Sequence, residues 1–109
     1  MTRKEIYNMI ASAGLPVAYY QFSEATAKPT PFICYYYPQD NNFSADNHNY
    51  VDVNQLVIEL YTDNKDFALE DTIEGILHNN DLFFDKTEVY IDGEKMFLVA
   101  YTMEVLINA

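Results

Sequence analysis

Two imidazoles, one thiol and seventeen carboxylates are the side chains of this 109-residue chain best equipped for chemistry. Nucleophilic catalysis needs a hydroxyl or thiol within hydrogen-bond reach of a base that a third group orients. His48 stands in the polar run DNHN, where it reads as a solvated loop residue. His78 opens HNND at the end of an apolar-periodic stretch, where an imidazole commonly meets the free carbonyls of a helix end. One Cys and two His do not complete a structural zinc site within one chain. The Asp/Asn-rich run from Asp40 to Asp52 has the composition of a calcium loop. It lacks the glycine of the turn and the glutamate six residues on. Glycine occurs only at 14, 75 and 93, so no glycine-rich phosphate loop is present. Carboxylate pairs suited to glycoside chemistry are numerous, but nothing selects one pair. The expectation is a non-enzymatic protein with no cofactor and no metal.

The formal net charge is −11. Fourteen of the 17 acids lie between Asp40 and Glu94, opposed there only by Lys65 and Lys86. Such a surface repels phosphate, so no nucleic-acid binding is expected. It serves solubility, and it also suits a basic partner or the wall of a channel. Cys34 lies in the apolar run PFICYYY, the setting of a buried thiol in a reducing compartment. The opening MTRKEIYNMI is amphipathic and too poor in apolar residues for a signal peptide. No apolar run approaches the roughly 20 residues of a membrane-spanning helix. The expectation is one soluble domain over residues 1–109, with no membrane partner.

Tyrosine is the unusual resource, with ten copies. Tyr35, Tyr36 and Tyr37 are consecutive, so a strand must turn at least one of them away from the core. Tyrosine offers a large contact area, few rotatable bonds and a polar tip, the qualities that protein contacts favour.

The elements that position these residues follow from periodicity and caps. Thr2 and Glu5 have capping-box spacing, and Ile6, Met9, Ile10 and Ala13 form one stripe. Gly14 and Pro16 then stop a helix predicted over about Arg3 to Ala13. VAYYQF (Val17–Phe22), FICYYY (Phe32–Tyr37) and Val51 to Tyr61 read as strands, the last with Leu56, Ile58 and Leu60 facing the core. Asp63 or Asn64 is the expected cap of a second helix. Its buried stripe is Leu69, Ile73, Ile76 and Leu77, and its wet face is Asp66, Glu70, Asp71 and Glu74. Asp92-Gly93 predicts a type I′ hairpin, followed by an alternating face of Phe97, Val99, Tyr101, Met103, Val105 and Ile107. The order implies an α+β fold of two layers. About five strands form a mostly antiparallel or mixed sheet, with two helices packed on one face.

Several phrases of the chain resemble the small tail-terminator (tail-completion) proteins of long-tailed bacteriophages and their prophages. The residues that carry the resemblance are Pro31-Phe32-Ile33, Phe43-Ser44-Ala45-Asp46-Asn47, Val57-Ile58-Glu59-Leu60-Tyr61-Thr62, and Lys65-Asp66 with Glu70 and Ile73-Glu74. The closing FFDKTEVYIDGEKMFLVAYTMEVLI has the same character. The resemblance implies a small α+β domain without enzymatic activity. It implies a ring, usually six-fold, that ends the tail tube and presents a surface to the head-completion or connector protein. The place of such a protein is the tail or neck of the virion, after assembly in the bacterial cytoplasm. A long polar loop between strands is then a reach toward a neighbour. Asn42, Phe43, Asp46, Tyr50 and Tyr36 are the candidate contact residues, with the alternative that Phe43 folds back on its own sheet. The rival readings are a head-closure or head–tail joining protein of the neck, and an unrelated acidic protein-binding module.

Overall fold

The computed structural model describes residues 1–22, 29–40 and 51–108, apart from the side chain of Val51. Helix α1 (Arg3–Ala11) opens with the predicted capping box. The Glu5 N–H donates to the Thr2 hydroxyl at 3.1 Å, and the Thr2 N–H donates to the Glu5 carboxylate at 2.8 Å. Each bond satisfies a donor that the first turn leaves free. The helix ends two residues before Ala13, with Ser12 as its C-cap. The Ser12 hydroxyl donates to the Met9 carbonyl at 2.5 Å, and Gly14 then adopts φ 82°, the left-handed exit expected of it.

Five strands follow: β1 (Val17–Tyr19), β2 (Phe32–Tyr36), β3 (Val51–Thr62), β4 (Phe84–Ile91) and β5 (Met96–Asn108). They form one sheet in the order β1-β2-β3-β5-β4. The β1–β2 pair is parallel and the other three are antiparallel, so the sheet is mixed and mostly antiparallel. Strand β1 is half the predicted length because Tyr20 takes φ 68° and breaks the pleat. Helix α2 (Phe67–Asn79) joins β3 to β4 and packs with α1 on one face of the sheet.

Register places the core. Leu56 faces Met103, Ile58 faces Tyr101, and Leu60 stands between Ile33 and Val99, all on the face that the helices cover. Helix α1 adds Ile6, Met9 and Ile10, and α2 adds Ile73 and Leu77. Burying each large aliphatic side chain stabilises the fold by about 1.5–3 kcal/mol. The alternating face predicted on β5 is buried from Val99 to Ile107. Phe97, at its start, is half-buried against Tyr90 with ring centroids 4.9 Å apart.

Three local expectations are corrected. The cap of α2 is Asp66, whose carboxylate accepts from the Leu69 N–H at 3.0 Å, in place of Asp63 or Asn64. Strand β3 runs through Thr62, so residues 63–65 are taken up by the bend from sheet to helix. The β4–β5 hairpin closes on Ile91 and Met96 across four residues, and its left-handed residue is Lys95 (φ 51°), not Gly93. A two-residue turn would pair Ile91 with Glu94 and slide every partner along β5 by two positions. Lys86 would then lose its place beside Tyr101. The third correction is Glu70, expected on the wet face of α2 but only 2% exposed.

Candidate interaction surface

Glu70 is buried because α2 lies over the hairpin and two lysines reach it. Lys65 approaches one carboxylate oxygen at 2.6 Å and Lys86 the other at 2.8 Å. Lys86 also pairs with Glu74 at 2.8 Å, and Lys65 pairs with Glu88 on β4. The buried Tyr101 hydroxyl donates to Glu74 at 2.9 Å. Burial pulls the Glu70 carboxyl upward, yet the hydrogen bonds and charges of both lysines outweigh it and leave it lowered. Lys86 is raised, chiefly by its hydrogen bonds to Glu70 and Glu74. Tyr101 is raised by burial and by its bond to Glu74. A nucleophilic lysine or tyrosine needs shifts of the opposite sign. The cluster is therefore a clamp that fastens α2 to the hairpin.

Aromatic side chains gather at the β1–β2 edge. On the helix-covered side, Tyr35 meets Tyr19 edge-on at 5.2 Å and Tyr37 edge-on at 6.1 Å, with Tyr7 of α1 at 6.4 Å. The Tyr19 hydroxyl accepts from the Tyr37 N–H at 3.3 Å. Burial pushes the Tyr37 hydroxyl up to about 12, with Tyr35 adding to the shift. Tyr7, Tyr19 and Tyr20 nevertheless remain exposed.

The other sheet face carries neither helix. Across it run Phe22, Phe32 and Tyr61, the first pair edge-on at 5.3 Å and the second stacked at 4.9 Å. The Tyr61 hydroxyl donates to Glu59 at 3.0 Å. These rings line a concavity of about 550 Å³ with Cys34, Ile91 and Met96. Cys34 is buried in it, and burial followed by the charge of Glu59 raises its thiol to about 11, so the thiol stays protonated. Farther along the face, Val89 and Leu106 are exposed. Its acids are Glu59, Asp85 and Glu104, alternate positions on their strands. The result is an aromatic and aliphatic surface with acids interspersed, Glu59 on the central strand and Glu104 and Asp85 on β5 and β4.

Tyr36 is the one predicted contact residue among the described residues. It lies on this open face, half-buried, with its ring 5.2 Å from that of Tyr20. Burial raises its hydroxyl and Glu59 adds to the shift. Asn42, Phe43, Asp46 and Tyr50 lie outside the described residues, as does His48. His78 is exposed at the end of α2, its ring 5.4 Å from that of Phe84. The expected alternation of the three tyrosines is present, with Tyr35 and Tyr37 on one face and Tyr36 on the other.

Sequence reasoning did not anticipate the Lys65–Glu70–Lys86 clamp or the Phe22–Phe32–Tyr61 row. The signal for the first was the solitude of two lysines in an acidic stretch. The second joins three separate segments and leaves no local pattern. No protein-family model matches the chain, and no curated protein matches it.

Proposed function

We propose that the chain is a non-enzymatic structural subunit of a phage or prophage tail. It caps the tail tube as a ring, with six copies the usual number for the proteins it resembles, and forms the joint to the head-completion complex. The observation that carries this reading is the sheet face that neither α1 nor α2 covers among the described residues. Phe32, Tyr61, Leu98 and Val89 lie side by side across that face in register, with Val89 exposed, and such a row of apolar groups at a surface marks a site of association. Tyr36 and the exposed Leu106 lie farther along the same face. Its aromatic row, the acids Glu59, Asp85 and Glu104 interspersed on it and the exposed tyrosines at the adjoining edge have the make-up of a contact surface, rigid aromatics among polar groups. The family resemblance supplies the assembly to which that surface belongs. A net charge of −11 suits the mouth of a conduit through which DNA must pass without being held.

Electron microscopy of the cognate tube protein polymerised with and without this chain tests the proposal. The expected result is tubes of controlled length with a ring of added density at one end. Uncapped tubes of unchanged length would refute it. A ring that binds portal-side components instead would assign the chain to the neck.

A further inference from the structure

The outer edge of β4 stands apart from the tail-cap reading. It is the last strand of its sheet, eight residues long and paired with β5 in unbroken register. Asp85 to Tyr90 are all exposed. Soluble proteins usually protect such an edge with proline, a bulge, brevity or an outward lysine. β1, at the opposite edge, is protected by having only three residues. β4 has no proline, glycine or bulge, and its lysine, Lys86, is drawn toward α2 by Glu70 and Glu74. Phe83, immediately before the strand, is 92% exposed.

We infer that the β4 edge pairs antiparallel with β4 of a second copy, on a two-fold axis through Thr87. A two-fold axis relating antiparallel edge strands stands perpendicular to the sheet and keeps the same faces together. Residues on equivalent faces must then meet, so the axis passes through one residue position. With Thr87 on the axis, Lys86 meets Glu88 of the second copy twice over, Phe84 meets Tyr90, and Thr87 meets Thr87. Phe83 meets Ile91. Opposite charges, aromatic pairs and threonine pairs are the cross-strand combinations that stabilise a sheet. With the axis moved to Lys86, lysine faces lysine and Phe84 faces Glu88. With it at Glu88, glutamate faces glutamate. Like charges directly opposite are destabilising, and an axis at Val89, which opposes none, would pair only residues 87–91 of the strand, so the register through Thr87 stands out. The groups are also available. The Lys86 ammonium has three donors and its partners Glu70 and Glu74 take two, while Glu88 engages Lys65 through one oxygen and keeps the other. The occupant is a copy of this chain because the strand is complementary to itself. The product is a continuous ten-stranded sheet with all four helices on one side.

Variants of the full chain that each add one cysteine to the buried Cys34 locate the axis. Under mild oxidation, Thr87→Cys forms an intermolecular disulfide, since directly opposed Cβ atoms lie about 4.5–5.5 Å apart. Val89→Cys does not, because its two copies stand four residues apart along the strands, about 13 Å. Wild-type protein, with its one buried thiol, gives the background rate. Sedimentation of the wild type shows a dimer, and Glu88→Lys raises the dimer dissociation constant about tenfold while circular dichroism stays unchanged. A monomer at every concentration reached, or equal cross-linking at positions 87 and 89, would overturn the inference. A capped tube whose Thr87→Cys subunits fail to cross-link would overturn it too, while leaving the tail-cap reading in place. Cross-linked dimers that do not cap tubes would do the reverse.

Discussion

At the residue scale the decisive side chain is Glu70. An acid on a helix one turn from its cap ordinarily faces water, and here it is enclosed because two ammonium groups converge on it. Glu70→Gln keeps the shape and removes the charge, so both lysines lose a partner while retaining Glu88 and Glu74. A loss of about 1–3 kcal/mol is expected in urea unfolding at neutral pH. The folded-state pKa of Glu70 is lowered, so its contribution is present above the ordinary carboxylate value of about 4.3 and is lost as pH falls through the lowered one. Stability should fall less steeply below that pH in the glutamine variant than in the wild type. Cys34 has the opposite sign. Its thiol is raised from about 9 to about 11, so its contribution is intact below the first value and lost as pH rises through the second. Cys34→Ala should therefore flatten the alkaline decline in unfolding midpoint within that window. Thiol-labelling kinetics offer a second check, with modification of the wild type following the rate of opening.

At the element scale the hairpin is the informative case. The dipeptide Asp92-Gly93 favours a turn that demands positive φ at glycine, yet Gly93 does not adopt it and no atom lies within 4 Å of where a Cβ would stand. Gly93→Ala should consequently stabilise the protein by about 0.4–1 kcal/mol through the unfolded chain. A thermal melt shifted downward would restore the two-residue turn. The α2 cap allows a similar test. Asp66→Ala should cost about 1 kcal/mol, and Asp63→Ala should change stability by less than about 0.5 kcal/mol. The alternation on β3 and β5 was readable from sequence because every second residue is apolar and one face is buried. The shortness of β1 was not, because aromatic content gave no warning of the left-handed Tyr20.

At the scale of the whole molecule, both helices lie on one side of a mixed sheet and leave the other side to aromatic and aliphatic groups. Leu106→Glu places a charge on that side at an exposed position, so it should leave monomer stability within about 0.5 kcal/mol of the wild type. The same change should abolish tube capping, read by counting capped ends in micrographs. Capping that survives this charge would move the contact away from the open face. The β4 edge lies at one margin of the same sheet, so a variant deficient in edge pairing and one deficient in capping separate the two associations.

The layers, the count of strands and helices and the core face of β5 were legible in the sequence, since they follow from periodicities of 2.0 and 3.6 residues and from capping chemistry. So was the division of Tyr35, Tyr36 and Tyr37 between two faces. Contacts between distant segments were not. Glu70 meets Lys86 only because α2 crosses the hairpin, and Phe32 meets Tyr61 only because β2 pairs with β3 in one register. Pairing register and helix placement are settled by the packing of the whole core, which no local pattern encodes, and with them the burial of a charge and the make-up of the open face.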